Sequence, residues 1–203
     1  MFRKIVLTAI ALTVFAVNDA QAAINEDVVK ETIVKHSIEM GVDPALALSI
    51  AKKESGFKHE LKSSHGAVGV FQLLPSTANK MGYNPYYLSE NIKAGLTYYK
   101  MMYKMFGSTE LALAAYNAGP GNVKRFGGQI PPYRETKRFV NIIMQDYHNM
   151  KHNPDPAIAK YSQTPAIAPE VKPIISTTPN DVDLPDLTEI PEVKQSEPIM
   201  EIL

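Results

Sequence analysis

The sequence predicts an all-α domain followed by a disordered tail, with at most one small hairpin among the helices. Three observations carry this. Between residues 25 and 150 apolar residues recur near helical spacing. No alternating run of useful strand length occurs there. From residue 151 onward nine prolines fall in 53 residues, with no glycine and one aromatic, Tyr161. Those prolines leave no room for a helix, and the scattered apolar residues build no core. Residues 151–203 therefore read as an extended, acidic, proline-rich spacer or docking tail.

The helices follow in order. The first covers about 25–40, carried by Val28, Val29, Ile33, Val34 and Ile38 and closed by Gly41. Asp43-Pro44 reads as an N-cap with proline at the first helical position, opening a helix to about Glu54. That helix is apolar on the side of Leu46, Ala47 and Ile50. Leu74-Pro75-Ser76 starts a short helix ended by Gly82. Ser89 reads as the cap of a longer one through Phe106, ended by Gly107. Its stripe is Ile92, Leu96, Tyr99 and Tyr103, with Met101, Met102 and Met105 as core filling. Thr109 to Asn117 is alanine-rich and can pack closely, and Glu135 to about Asn149 is the last helix. Val68 to Leu74 is the one apolar run suited to a hairpin, because Gly66 and Gly69 break helix there.

Residues 1–22 read as a cleaved signal peptide. Arg3 and Lys4 precede the apolar run Ile5 to Val17, and Ala20-Gln21-Ala22 offers small residues before a cut. An uncleaved anchor is the alternative. Either way residues 23–203 leave the cytosol. The chain has no cysteine, which excludes a disulfide scaffold, thiolate metal sites and a cysteine nucleophile. Its 21 Lys and Arg balance 21 Asp and Glu, which excludes a generic nucleic-acid binder. The balance is uneven along the chain. Residues 23–150 carry 15 basic and 11 acidic side chains, and residues 151–203 carry 4 and 9. The five histidines show no metal-ligand spacing, so neither metal nor cofactor is expected.

Four clusters interrupt the helical pattern: Glu54 to Phe57, Gly66 to Gln72, Ala115 to Asn122, and Pro131 to Thr136. A carboxyl at a helix end beside an apolar wall, as at Glu54, is pushed toward its neutral form and can protonate a leaving group. Read alone, Glu54 is an ordinary solvated helix end. Gly66 and Gly69 allow a sharp turn close to a ligand, and Gln72 can bond a sugar amide or hydroxyl. Read alone, that segment is a structural turn with a buried glutamine. Tyr116-Asn117 offers a phenol and an amide before a tight turn, or simply a capped helix end.

Together the clusters resemble the catalytic domain of the soluble lytic transglycosylases, lysozyme-like enzymes that cut bacterial peptidoglycan. The resemblance rests on Glu54-Ser55, on Gly-Ala-x-Gly-x-x-Gln at 66–72 with Leu74-Pro75 and Thr77-Ala78, on Ala115 to Gly119, and on Tyr133 with Glu135-Thr136 and Val140. It covers about residues 30–148 and implies a lysozyme-like helical domain. It implies that Glu54 is the sole acid and base, cutting the bond between N-acetylmuramic acid and N-acetylglucosamine and leaving a 1,6-anhydro end. It further implies that Ser55, Gly66, Gly69, Phe71, Gln72, Tyr116, Asn117 and Tyr133 line or support the cleft, with Tyr116 positioning Glu54. Two positions depart from the usual pattern. Phe71 stands where Met is common, and Phe139 where Tyr is common. The positive domain suits an anionic wall polymer. Small members with a signal are similar to those that open the periplasmic wall for secretion, conjugation or pilus machines. A hydrolysing muramidase, with Glu60 as the acid nearest in sequence, and an inactive wall-binding module are the competing readings.

Overall fold

Two capped helices set the frame. Asn25 Oδ1 accepts from Asp27 N at 2.8 Å to open α1, Glu26–Glu39. Asp43 Oδ1 accepts from Ala45 N at 2.9 Å to open α2, Pro44–Ser55. The computed structural model describes residues 25–162, and eight helices lie among them. The others are α3 (Pro75–Lys80), α4 (Leu88–Phe106), α5 (Thr109–Ala118), α6 (Pro120–Arg125), α7 (Arg134–His152) and α8 (Pro156–Ser162). Residues 1–24, which include the expected signal peptide, and residues 163–203 of the expected tail lie outside the described residues.

α2 and α5 form the centre. Eight of twelve α2 residues and seven of ten α5 residues are buried. The one-sided reading of α2 is therefore corrected: small alanines let neighbours close on it from nearly every direction. α7 packs on both α2 and α5, α4 packs on α5 and α1, and α1 packs on α2. Ile33, Leu48, Ile50, Phe71, Ile92, Leu96, Met102, Leu113 and Ile143 are fully buried between them. Along α4, Met101 and Met102 fill core, but Tyr103 and Met105 are exposed. The expected α4 stripe thus ends at Tyr99.

Other boundaries shift for local reasons. α4 begins at Leu88, and Ser89 is no cap; its Oγ sits 2.8 Å from His36 Nε2 and ties α4 to α1. Among the described residues no strand forms. Val68 makes isolated antiparallel bridges with Lys62 and Leu73, the remnant of the expected hairpin.

The largest departure is α8, inside the span read as tail. Asp155 Oδ1 accepts from Ala157 N at 2.9 Å, and Pro156 occupies the first helical position. A proline there costs nothing, because its missing N–H would have no helical partner. Ala157 is buried, Ile158 and Tyr161 pack against the core, and Lys30 pairs with Asp155 at 3.5 Å. Ending the chain after Met150 should lower the melting temperature by about 3–8 °C. Ending it after Ser162 should leave the melt unchanged. Thermal unfolding of the two truncations checks this.

Candidate active site

Glu54 occupies the last turn of α2 and is half-buried. Gly56 follows with φ 59°, a left-handed conformation that lets the chain leave the helix at once. Lys53 stands over the Phe139 ring at 5.4 Å and ties this end of α2 to α7. The next residue, Ser55, is buried, and its Oγ donates to Val70 O at 2.9 Å. That bond fixes the glutamate's helix to the glycine-turned segment 66–72.

The segment is held mostly through its main chain. Tyr116 Oη donates to Phe71 O at 2.9 Å. Asn91 of α4 is fully buried; its Oδ1 accepts from Phe71 N at 2.9 Å, and its Nδ2 donates to Val68 O and Pro85 O at 3.0 and 3.1 Å. Gly69 has φ 77°, and a Cβ there would strike the Asn91 amide. Gln72 has φ 44°, unusual for a side-chain-bearing residue, and its Nε2 donates to Gly69 O at 2.8 Å and Leu61 O at 3.0 Å. Beneath the segment the Phe71 ring fills the space left by Gly95.

Tyr116 brings the carboxylate into the electrostatics. Burial drives its phenol well above the usual tyrosine range, and the charges of Glu54 and then Tyr98 push it further. The Tyr98 ring meets it edge-on at 5.1 Å. Tyr116 thus remains a neutral donor at every physiological pH. A phenol whose folded-state pKa is raised stabilises fully below its unfolded value, about 10. Burial also raises Tyr98. Folding stability should therefore fall as pH climbs above about 10, which denaturant midpoints across that range would show.

The structure brings Glu54, Ser55, Gly69, Phe71, Gln72 and Tyr116 together. Several contact roles change. Phe71 is fully buried and has no surface to offer a sugar. The Gln72 amide nitrogen is committed to two carbonyls, as in the structural-turn reading. Tyr116 gives its only proton to Phe71 O, so it acts on Glu54 through the held segment. Asn117 is buried and accepts from Thr136 Oγ1 at 2.8 Å, joining α5 to α7. Gly66 N donates to Ser63 O at 3.0 Å at the far turn of the segment. Tyr133 is partly exposed and donates to Asn122 Oδ1 at 3.0 Å while accepting from Arg125 Nη2 at 2.7 Å. Sequence reasoning missed Asn91 and gave Asn122 no role. Both hold polar bonds across loops, and neither has a local signal. Tyr116→Phe keeps the edge contact but strips Phe71 O of its donor. Its expected cost is about 1–2 kcal/mol in urea unfolding.

A helical domain with a half-buried glutamate at a helix end, tied to a glycine-turned segment through the next residue, has a lysozyme-like helical architecture. The family described as Transglycosylase SLT domain matches residues 31–137, and the chain belongs to it. The soluble lytic murein transglycosylase of Escherichia coli K12 is 33% identical over 130 residues, 52% of this chain and 20% of that protein. This chain thus spans about a fifth of that relative's length. The transglycosylase of Enterobacteria phage PRD1 is 29% identical over 163 residues, covering 78% of this chain and 57% of its own. Among solved structures, the 70 kDa soluble lytic transglycosylase of E. coli superposes with a TM-score of 0.55 at 25% identity. That match covers 63% of this chain and 25% of the other. An inactive mutant of lytic transglycosylase Slt from Pseudomonas aeruginosa gives 0.55 at 26% identity, covering 62% and 25%.

Proposed function

We propose that this chain is a peptidoglycan lytic transglycosylase in which Glu54 is the only catalytic acid and base. The observation that carries the reading is the position of Glu54: half-buried at the end of α2, its charge acting on the buried Tyr116 beside the glycine-turned segment. As an acid Glu54 protonates the glycosidic oxygen, and the bond from C1 of N-acetylmuramic acid to O4 of N-acetylglucosamine breaks. The substrate's own N-acetyl oxygen closes onto C1 and takes the place of a second carboxylate. As a carboxylate Glu54 then removes the C6 hydroxyl proton, and O6 displaces the acetamido oxygen from C1. The products are a free 4-hydroxyl and a 1,6-anhydro end, with no water consumed. Ser55 and Tyr116 serve as positioning residues, because each holds the segment opposite the acid by one bond to its main chain.

The reading places the enzyme in the periplasm, delivered by residues 1–22, for local opening of the wall. Its test is mass spectrometry of fragments released from purified sacculi. Muropeptides one water lighter at the muramic end are expected. Ordinary reducing ends would make the enzyme a muramidase and overturn the one-carboxylate mechanism.

A further inference from the structure

We propose that the basic face of Lys124, Arg125, Arg134, Lys137 and Arg138 is the docking surface for the acidic segment after Ser162 of the same chain. All five side chains are exposed. Glu135 is the single acid between residues 124 and 138. Arg134, Lys137 and Arg138 stand three and four apart on α7 and share one side of it. Arg125 joins them through Tyr133, whose hydroxyl accepts from its Nη2 at 2.7 Å. Among the described residues none of these five enters an ion pair, which holds for other lysines such as Lys35 and Lys104 as well; here five cations stand around one acid, Glu135.

The 41 residues after Ser162 carry eight Asp and Glu against two Lys. Five of those acids, Asp181, Asp183, Asp186, Glu189 and Glu192, fall in twelve residues. Reach is ample. α7 is 19 residues long, so its basic start lies about 28 Å along the axis from its end. The 19 residues from Ser162 to Asp181 span up to about 59 Å as an extended proline-rich chain. One exposed ion pair stabilises by only about 0–1 kcal/mol, so a free peptide would bind weakly. A tether changes that, because it holds the acids at an effective concentration of order millimolar beside the face. Such docking covers Tyr133 and competes with any other polyanion for the same cations.

The absence of cysteine makes the test direct. Gln129→Cys beside the basic face and Gln195→Cys in the segment, in the full secreted chain, take a donor and an acceptor dye. Energy transfer should be high at about 20 mM salt and fall severalfold by about 0.5 M, as the Debye length shrinks. Lys137→Glu with Arg138→Glu should give the high-salt value already at low salt, with unchanged helical circular dichroism. Asp181, Asp183 and Asp186 changed together to Asn should do the same while leaving the domain untouched. Lys35→Glu with Lys104→Glu alters net charge equally, away from this face, and should leave transfer high. Equal loss in that control would reduce the effect to diffuse attraction and overturn the proposal. So would transfer that ignores salt and the basic face, which would leave the face to an external polyanion such as the wall. The measurement reads distance, so it stands or falls apart from catalysis.

Discussion

Glu54→Gln should lower the rate of sacculus lysis by at least about 1,000-fold, with a melting temperature within a degree or so of the parent. The size follows from the double role. One positioned acid or base contributes about 10²–10⁴-fold, and here a single side chain serves in both steps. Glutamine keeps the shape and the hydrogen-bonding reach but can neither give up nor accept the proton. The stable fold follows from the site's construction, since the bonds that frame it run from Ser55, Asn91 and Tyr116 to the 66–72 main chain. Turbidity of sacculus suspensions gives the rate, and calorimetry gives the melt. Retained lysis would remove the one-carboxylate mechanism.

Asn91→Leu should cost about 3–6 kcal/mol, the largest stability loss of any single polar substitution in the domain. Leucine keeps the branched shape and heavy-atom count but removes both amide functions. Phe71 N–H, Val68 C=O and Pro85 C=O would then be buried without their partner, at about 1–3 kcal/mol each. Asn91→Asp is the informative companion. It keeps the acceptor for Phe71 N–H and loses the donor, so it should fall between the parent and leucine. Urea unfolding at neutral pH ranks the three. Gly95→Ala, a smaller change, should cost about 1–3 kcal/mol, because the added methyl enters the space of the Phe71 ring.

Local signals were legible where one element decides the outcome by itself. Asp43-Pro44 marked the start of α2, and Gly107 the end of α4, each within a residue. The same Asp-Pro dipeptide stands at 155–156, yet the prolines around it look like breakers and hide α8 within the expected tail. One of them was a starter. α6 was hidden similarly, as Pro120-Gly121 read as a turn and proved to be a helical beginning. Glu54 and its framing residues stood out through motif spacing. What those residues touch did not, because the Asn91 and Tyr116 bonds join positions 20 and 45 apart in sequence. Committing Gln72 to main-chain carbonyls is likewise a tertiary outcome, set by the left-handed backbone it must hold.

The segment facing Glu54 is gripped by its peptide groups: Val68 O, Gly69 O, Val70 O, and Phe71 N and O. Every residue type but proline has the same amide and carbonyl, so apart from Gly69 and Gln72 the clamp is blind to the side chains mounted on the clamped strip. Another apolar side chain could stand at Phe71 without loosening a single bond of the clamp. A saturation library should therefore be lopsided. Ser55, Asn91 and Tyr116 should accept almost nothing, while Val68 and Val70 accept any apolar side chain of similar bulk. Such an arrangement lets the lining of the site drift, or be redesigned, while the distance between acid and strip stays put.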